Sequence, residues 1–351
     1  MATVLITGGT GFIGSNLAMR LLERDKDTKV VLFDRNPDLS RLTGFEARYD
    51  AVKNRVTFVQ GDLTILPHVL ALFDAHTPDS VFHLGALLSA GAETNPTMGF
   101  QTDTVGSWHV FEAARLYCQH AGSDPIRVLF PSTIASFGSF IAPGALVNNE
   151  DIQMPTTMYG VSKVSVERLG EYYTRKGWID FRAVRYPSVI GASRGPGGTT
   201  VYSTLMIQEP FRTPSRPYIA YVEPTTRLDI IYISEAIDAL LGLHDAPGSS
   251  LKRRVYNIAG IRTDDVQAPT ALDIKNAVAA IKPDAVIDFQ VDPVLQNTVT
   301  SFGVLKDDTA RADWNWKGPQ QRMNLATAVA AFGKEVKEYP KRIKSLELFG
   351  A

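Results

Sequence analysis

The sequence has little that could hold a metal ion or a disulfide. Its 351 residues include one cysteine, Cys118, and six histidines. A single cysteine cannot form an intramolecular disulfide, and the histidines are too scattered for the usual ligand spacing. These shortages exclude a disulfide-stapled scaffold, and we expect no metal site.

The sequence also lacks an excess of charge of one sign and long apolar runs. The chain has 36 basic and 37 acidic side chains, for a formal net charge of -1. We therefore expect neither a nucleic-acid partner nor a membrane partner. No run approaches the ~20 apolar residues that a membrane-spanning helix needs, and the first residues lack the basic and apolar regions of a signal peptide. A cytoplasmic protein with a small-molecule substrate is expected.

What the first half does contain is a regular alternation of short β-branched runs with segments of helical period. This alternation predicts an α/β fold with a Rossmann-type, doubly wound parallel sheet covered by helices on both faces. The six predicted strands are Thr3–Thr7, Lys29–Asp34, Val56–Gln60, Ser80–Leu84, Arg127–Ser132 and Phe181–Tyr186.

The pattern changes after Pro187. Gly191–Gly198 is rich in glycine and proline, Gln208–Thr226 is predicted to be irregular, and Arg254–Ile258 is strand-like. Helices are predicted over Ala271–Ile281 and Leu325–Tyr339. Because single cores stop growing at ~250–300 residues, we predict two units. Residues 1–187 form a dinucleotide-binding domain to which part of 220–260 returns, and 188–351 form mainly a smaller, interleaved α/β substrate-binding lobe.

Three glycines follow the first strand, at Gly8, Gly11 and Gly14, and open a helix that starts with Phe12 and Ile13. A backbone without side chains can approach a pyrophosphate, whose charge then meets the free N–H groups of the helix N-terminus. An ordinary glycine turn does not need a strand before it and a helix after it. The arrangement therefore predicts a dinucleotide site.

The second strand ends at Asp34, twenty residues past Gly14. A carboxylate at this position accepts hydrogen bonds from the adenosine ribose and repels a 2′-phosphate, so it favours NAD over NADP. Arg35, the next residue, would soften that preference.

Three further polar residues lie at or beyond strand ends. Asp62 either caps the next helix or binds the adenine amino group, and the sequence leaves both open. His83, at the end of an apolar strand, is interpreted as a core histidine. Ser89 lies on the loop where such folds bring the nicotinamide close.

Tyr159 and Lys163 carry the main catalytic signal, because residues four apart share one face of a helix. A phenol with a pKa near ~10 is a poor base at neutral pH, and ionising it there needs about 4 kcal/mol of stabilisation. A neighbouring ammonium and a nicotinamide cation would supply it. Thr133 or Ser132, at the end of the fifth strand, would hydrogen-bond the reacting oxygen.

These motifs resemble the extended short-chain dehydrogenase/reductases, the NAD-dependent epimerase/dehydratase family that includes UDP-galactose 4-epimerase. The resemblance covers essentially the whole chain and gives Thr133, Tyr159 and Lys163 the family's Ser/Thr, Tyr and Lys roles. The NAD-binding residues that we predict are Gly8, Gly11, Phe12, Ile13, Gly14, Asp34, Asp62, Leu63, Leu84, Gly85, Ala86, Tyr159, Lys163 and Tyr186. The substrate-binding candidates are Ser89, Ser132, Thr133, Tyr159, Thr199, Thr200 and Arg227. The resemblance also implies a homodimer that pairs Gly106–Gln119 with Tyr159–Arg175.

Within this family, several segments are similar to short-chain-type L-threonine 3-dehydrogenases. They are Leu84–Ala90, Arg185–Pro187, Pro196–Tyr202, Tyr256–Gly260 and Ala310–Trp316. This similarity implies the oxidation of L-threonine to 2-amino-3-ketobutyrate.

Other segments keep further substrates open. Gln208–Phe211 and Pro224–Arg227 are more like D-erythronate dehydrogenase, and Asp292–Asp308 lacks the Arg and Ser-Trp-Pro pattern of threonine dehydrogenases. The alternatives are therefore a sugar-acid dehydrogenase, a nucleotide-sugar epimerase or dehydratase, and a non-catalytic NAD sensor. The epimerase alternative requires a pyrophosphate clamp made by Arg194, Arg212, Arg216 and Arg227.

Overall fold

The computed structural model describes residues 2–138, 140–142, 144–195, 197–263, 267–318 and 323–344. Its strands are β1 Thr3–Thr7, β2 Lys29–Asp34, β3 Val56–Gln60, β4 Ser80–His83, β5 Arg127–Thr133, β6 Leu146–Val147, β7 Asp180–Tyr186, β8 Ser188–Ile190, β9 Tyr218–Ala220, β10 Ile230–Tyr232, β11 Val255–Asn257, β12 Ile287–Phe289 and β13 Val304–Leu305. Within the described residues, seven of these strands form one parallel sheet in the order β11-β7-β5-β4-β1-β2-β3.

The helices are α1 Phe12–Arg24, α2 Ser40–Thr43, α3 Ala47–Asp50, α4 Leu66–His76, α5 Ser89–Thr94, α6 Pro96–Gly99, α7 Gly106–Ala121, α8 Met158–Arg175, α9 Tyr202–Phe211, α10 Ile233–Asp245, α11 Ala271–Ile281, α12 Pro293–Thr300, α13 Asp308–Trp314, α14 Leu325–Glu338 and α15 Pro340–Lys344. A π-helical turn, Phe100–Val105, leads into α7. None of the helices among the described residues is long and apolar enough to cross a lipid bilayer.

The sheet confirms the predicted doubly wound fold. The first three predicted strands have the observed bounds, and the next three differ by one residue at an end. A seventh strand, β11, pairs with β7 from Ala183 to Arg185, so the strand-like segment near Arg254 joins the edge of the main sheet. Because β1 pairs with β2 on one side and β4 on the other, the chain reverses direction across the sheet between β1 and β4. Ligands bind doubly wound sheets at the carboxyl ends of the strands at this reversal.

The central strands of the sheet bury both of their faces, because helices cover the sheet on both sides, whereas the edge strand β3 stays partly exposed. On β1, Leu5 belongs to the apolar cluster that holds Phe73 of α4 and Phe111 of α7. Its neighbour Ile6 points to the other side and joins the cluster that holds Leu17 of α1. Alternation along a strand places successive residues on opposite faces, so one short apolar run serves both cores.

The region after β8 combines helices with short two-stranded sheets. Helices α9, α11 and α14 pack on one another, and β9 pairs with β12. The prediction of an irregular Gln208–Thr226 is wrong at its start, where α9 continues to Phe211 with Pro210 inside the helix. A proline near a helix end removes one hydrogen bond, and burial of Met206 and Phe211 offsets this loss. Helix α11 has the predicted bounds, and α14 ends one residue early.

Candidate active site

A cleft of about 470 Å³ lies along the carboxyl ends of β1, β2, β4, β5 and β7. Of the predicted site residues, those that line the cleft are Gly8, Gly11, Phe12, Ile13, Asp34, Asp62, Leu63, Leu84, Gly85, Ala86, Ser89, Ser132, Thr133, Tyr159, Lys163, Tyr186, Thr199 and Thr200. Gly14 and Arg227 lie outside the lining. One cleft therefore unites the predicted cofactor residues with the predicted catalytic residues.

The glycine-rich turn fits a bound pyrophosphate. Gly8 has a φ of 66°, and a Cβ added there would lie 2.7 Å from the backbone nitrogen of Gly85. A Cβ on Gly14 would lie 2.4 Å from the carbonyl oxygen of Gly8, so Gly14 allows the turn to pack on α1 rather than touching a ligand. No side chain caps the start of α1 at Gly11, which leaves N–H groups of the first turn for an anion.

Asp34 ends β2 at the cleft, as expected for a ribose-binding carboxylate. Its Oδ2 accepts a hydrogen bond of 3.1 Å from the Thr10 N–H, and its Oδ1 accepts one of 3.1 Å from the Asn36 N–H. Arg35 and Arg41 also line this end of the cleft. Burial lowers the pKa of Arg41, while Asp38 and Asp34 raise it. Arg41 is a second cation beside the carboxylate, which the sequence analysis did not identify.

Asp62 closes a turn instead of capping the next helix. Its Oδ1 accepts hydrogen bonds of 2.8 Å from both the N–H and the hydroxyl of Thr64. Burial acts to raise the pKa of Asp62, but the two bonds from Thr64 and the charges of Arg35 and His68 together lower it. Helix α4 begins later, at Leu66, so the carboxylate stays at the cleft wall.

His83 is a core residue, as the sequence indicated. Its ring nitrogens contact the hydroxyls of Thr7 and Ser107 at 2.7 and 2.8 Å. Burial lowers the pKa of His83 to about 3, which keeps the imidazole neutral. The ring therefore supports the end of β4, where Leu84, Gly85 and Ala86 form the floor of the cleft.

Helix α8 positions Tyr159 and Lys163. Thr157 caps the helix by accepting a hydrogen bond of 3.1 Å from the Gly160 N–H, so Tyr159 lies in the first turn and Lys163 one turn later. The Lys163 Nζ donates a hydrogen bond of 2.9 Å to the Pro131 carbonyl and lies 5.3 Å from the centre of the Tyr159 ring. The two side chains thus reach the cleft together, as the four-residue spacing predicts.

Burial shifts the pKa values of both groups toward their neutral forms. It raises the pKa of Tyr159, and the charge of Asp103 raises it further, whereas Arg194 lowers it. Burial lowers the pKa of Lys163 to about 8, against the opposing charges of Asp103 and Glu167. A base at Tyr159 therefore needs positive charge beside its phenolate.

Ser132 and Thr133 turn to opposite sides of β5. The Ser132 hydroxyl donates to Glu167, whose carboxylate also binds Arg185 at 2.8 Å. The Thr133 Oγ1 accepts a hydrogen bond of 3.1 Å from the Ala135 N–H at the cleft. Of the two candidates for the hydroxyl that touches substrate, the geometry favours Thr133.

Sequence reasoning missed Asp103, on the π-helical turn before α7. The residue is 2% exposed, and one of its carboxylate oxygens accepts a hydrogen bond of 2.6 Å from the Leu87 N–H. The other oxygen has no hydrogen-bond partner among the described residues. Burial raises the pKa of Asp103 to about 6, against the charge of Lys163. An acidic residue on the buried side of a helical segment was the available signal.

Ser89, Thr199 and Thr200 lie together at the other end of the cleft. The Ala90 N–H donates to the Gly197 carbonyl at 3.1 Å, which ties the Ser89 segment to the glycine-rich loop. The Thr200 hydroxyl lies 2.8 Å from that of Ser188.

The four arginines of the predicted pyrophosphate clamp do not come together. Arg212 and Arg216 pair with Glu209 at 3.0 and 4.0 Å. Arg227 donates to the Ala268 carbonyl at 2.7 Å, and among these four residues the cleft lining contains Arg194 alone. Within the described part of the chain, no group of three or more His, Cys, Asp or Glu residues could hold a metal ion.

Comparison with known proteins agrees with this geometry. The model of the NAD dependent epimerase/dehydratase family matches residues 4–259. The mitochondrial L-threonine 3-dehydrogenase of Bos taurus is 32% identical over 333 residues, which cover 94% of this chain and 82% of the bovine protein. The solved L-threonine dehydrogenase from Clostridium difficile has a TM-score of 0.82 at 28% identity, over 98% of this chain and 99% of that chain. The holo form of an L-threonine dehydrogenase from Cupriavidus necator has a TM-score of 0.81 at 30% identity, over 95% and 99%.

The family match extends over most of the chain, and the glycine-rich turn fits the cofactor that the family name states. NAD(H) is accordingly the cofactor, as predicted. The chain therefore belongs to the NAD-dependent epimerase/dehydratase family of extended short-chain dehydrogenases, and it is an NAD-dependent oxidoreductase that acts on CH–OH groups.

Proposed function

We propose that the protein oxidises the secondary alcohol of a small hydroxy acid, and that its substrate is L-threonine, which gives 2-amino-3-ketobutyrate. The observation that carries this proposal is that Thr133, Tyr159 and Lys163 line the same cleft as the dinucleotide-binding turn, with Thr199 and Thr200 also lining it. The threonine dehydrogenases among the relatives and neighbours support the choice of substrate.

The proposed chemistry divides between the cofactor and three side chains. When bound, NAD accepts the hydride from the alcohol carbon. Thr133 holds the alcohol oxygen through its hydroxyl, and Tyr159 in its phenolate form takes the hydroxyl proton. Because burial raises the pKa of Tyr159, the nearby cations must stabilise the phenolate. Lys163 lies one helical turn away and Arg194 acts on the same phenol.

The rest of the substrate lies toward Ser89, Thr199 and Thr200. Hydroxyls and the N–H groups of a glycine-rich loop can satisfy a small anion and an amine. Glycosyl diphosphates are disfavoured as substrates, because Arg212, Arg216 and Arg227 do not line the cleft. A sugar acid such as D-erythronate shares the alcohol and the carboxylate, and it remains the alternative within the same chemistry.

The chain divides into two functional units. Residues 1–187, with part of 220–260, act as the NAD-binding unit, and 188–351 mainly bind substrate. A homodimer through α7 and α8 is supported by the exposed apolar side chains of Trp108, Val161 and Tyr172 on these packed helices. We place the enzyme in the cytoplasm. Light scattering of the purified protein tests the dimer, for which a monomer mass is the contrary result.

The test of substrate is NADH formation, followed by absorbance, over L-threonine, L-serine, threo-phenylserine, D-erythronate and UDP-sugars. The proposal expects the highest kcat/KM for L-threonine. A higher value for D-erythronate selects the sugar-acid alternative. Epimerisation or dehydration of a UDP-sugar leaves no net NADH, so these products are followed by chromatography, and their formation without turnover of either acid refutes the proposal.

A further inference from the structure

Arg194 is a cation in the substrate half of the cleft, and no acid among the described residues forms an ion pair with it. Its Nη1 donates to the Ser188 hydroxyl at 3.0 Å and to the Val189 carbonyl at 2.9 Å, and it approaches the Thr204 hydroxyl at 3.4 Å. Its Nη2 donates to the Thr200 hydroxyl at 3.0 Å. All these partners are neutral.

Three fully buried arginines of the described residues each have an acidic partner. Arg182 contacts Asp180 at 2.7 Å, Arg185 contacts Glu167 at 2.8 Å, and Arg342 contacts Glu335. Arg194 is half-buried, and without a carboxylate its charge loses part of its hydration and gains no counter-ion, which carries a cost. Burial lowers the pKa of Arg194 to about 10, and the groups that oppose this are the phenols of Tyr221 and Tyr159. The fold therefore maintains a positive charge at the cleft that a ligand could neutralise.

The hydrogen bonds of Arg194 leave one edge of the guanidinium open. The hydroxyl oxygens of Ser188 and Thr200 lie 2.8 Å apart and accept from Nη1 and Nη2, so they occupy the edge that these two nitrogens share. The other edge carries the Nε–H and the second N–H of Nη2, for which no acceptor is present among the described residues. Two parallel N–H groups on such an edge match the two oxygens of one carboxylate.

The position of Arg194 suits a hydroxy acid whose alcohol group reacts at Tyr159. Arg194 and Tyr159 line the same cleft, and the positive charge of Arg194 acts to lower the pKa of the Tyr159 phenol. Gly198 lies against it, since a Cβ there would be 3.0 Å from Nη2. Carboxylate and alcohol of a small hydroxy acid could thus be held at Arg194 and Tyr159 at once.

We propose that Arg194 binds the substrate carboxylate through its Nε and Nη2 edge, with Ser188 and Thr200 as positioning residues that hold the guanidinium. This inference rests on the proposed function and sharpens it. The enzyme selects secondary alcohols that carry a carboxylate, and Thr200 acts on the substrate through Arg194.

The test compares two substrates in two variants. L-Threonine and L-threonine amide differ in the carboxylate but share the reacting alcohol. In Arg194→Gln, we expect kcat/KM for L-threonine to fall about 100-fold, mainly through KM, because charge-assisted hydrogen bonds to the substrate are lost. The value for the amide should fall at least tenfold less than the value for the acid, because the amide loses only the effect of Arg194 on the Tyr159 phenol. Arg194→Lys should recover part of the loss for the acid. Arg216→Gln is the matched control, since Arg216 lies outside the cleft lining, and it should change neither substrate.

The unmodified enzyme supplies a second measurement if Arg194→Gln fails to fold, which circular dichroism would detect. It should prefer L-threonine to the amide by about 100-fold in kcat/KM. Equal use of the two substrates by the wild type overturns the inference. Equal losses on both substrates in a folded Arg194→Gln variant also overturn it, because Arg194 would then only shape the cleft.

Calorimetry separates this inference from the proposed function. The NADH complexes of wild type and Arg194→Gln are titrated with L-threonine, D-erythronate and L-threonine amide, without turnover. If no hydroxy acid is oxidised but an acid binds and the variant loses that binding, the proposed function fails and the inference stands. If the wild-type complex binds neither acid, the inference fails as well.

Discussion

Replacement of Lys163 by Met should stabilise the chain relative to the wild type at neutral pH and lose this advantage in alkali. Lys163 is 2% exposed, and burial lowers its pKa from the ordinary value of 10.5 to about 8. Such a difference corresponds to about 3 kcal/mol. Below pH 8, Lys163 is charged in both states and folding bears this whole cost. Between pH 8 and 10.5, the unfolded chain binds the extra proton, so wild-type stability rises with pH and the cost disappears.

The assay is urea unfolding of the cofactor-free wild type and Lys163→Met at steps from pH 7 to 10.5. The difference in unfolding free energy should shift by about 3 kcal/mol in favour of the wild type across this range. Its absolute value at pH 7 is smaller, because the variant also loses the hydrogen bond to Pro131. Lys26→Met, at an exposed lysine, is the control and should show no such trend. A difference for Lys163→Met that stays constant with pH would refute a depressed lysine pKa in the folded chain.

Four further substitutions test the site. Tyr159→Phe should lower kcat/KM by ~10²–10⁴ with unchanged NADH affinity in a fluorescence titration, because only the proton acceptor is lost; turnover within threefold of wild type would remove Tyr159 from its role. Asp34→Ala should lose much of the preference for NAD over NADP in paired kcat/KM measurements, whereas a wild type that already prefers NADP would contradict the role of Asp34. Thr133→Val should lower kcat. Ser132→Ala should mainly lower the melting temperature, because the buried Glu167 loses a hydrogen-bond donor. A lower kcat for Ser132→Ala with a lower melting temperature for Thr133→Val would exchange the roles of the two residues.

Much of the sheet could be predicted because a strand buried on both faces leaves a continuous β-branched run between turns. The runs Thr3–Thr7 and Lys29–Asp34 are examples whose bounds agree with the structure. The local sequence pattern does not indicate which strands lie next to each other in the sheet. The sequence predicts a strand-like Arg254–Ile258, but the pairing of β11 with β7 depends on the path of the chain through the preceding lobe.

The catalytic pair could be predicted because four-residue spacing on a helix is a local property. Alternation along β5 could also have separated Ser132 from Thr133, since successive strand residues face opposite sides. The roles that we give to Asp103 and Arg194 do not follow from such local spacing. Their importance comes from burial beside Lys163 and Tyr159, and that burial is created by segments distant in the sequence.

A single-turnover reaction of the enzyme with NAD and L-threonine deuterated at C3 tests the central claim most directly. Mass spectrometry of the NADH formed follows the label. The proposed reaction predicts that the deuterium moves from C3 to the nicotinamide and that Tyr159→Phe slows this transfer by ~10²–10⁴. NADH that forms without deuterium, or the absence of any transfer from L-threonine in the wild type, would contradict L-threonine oxidation at this site.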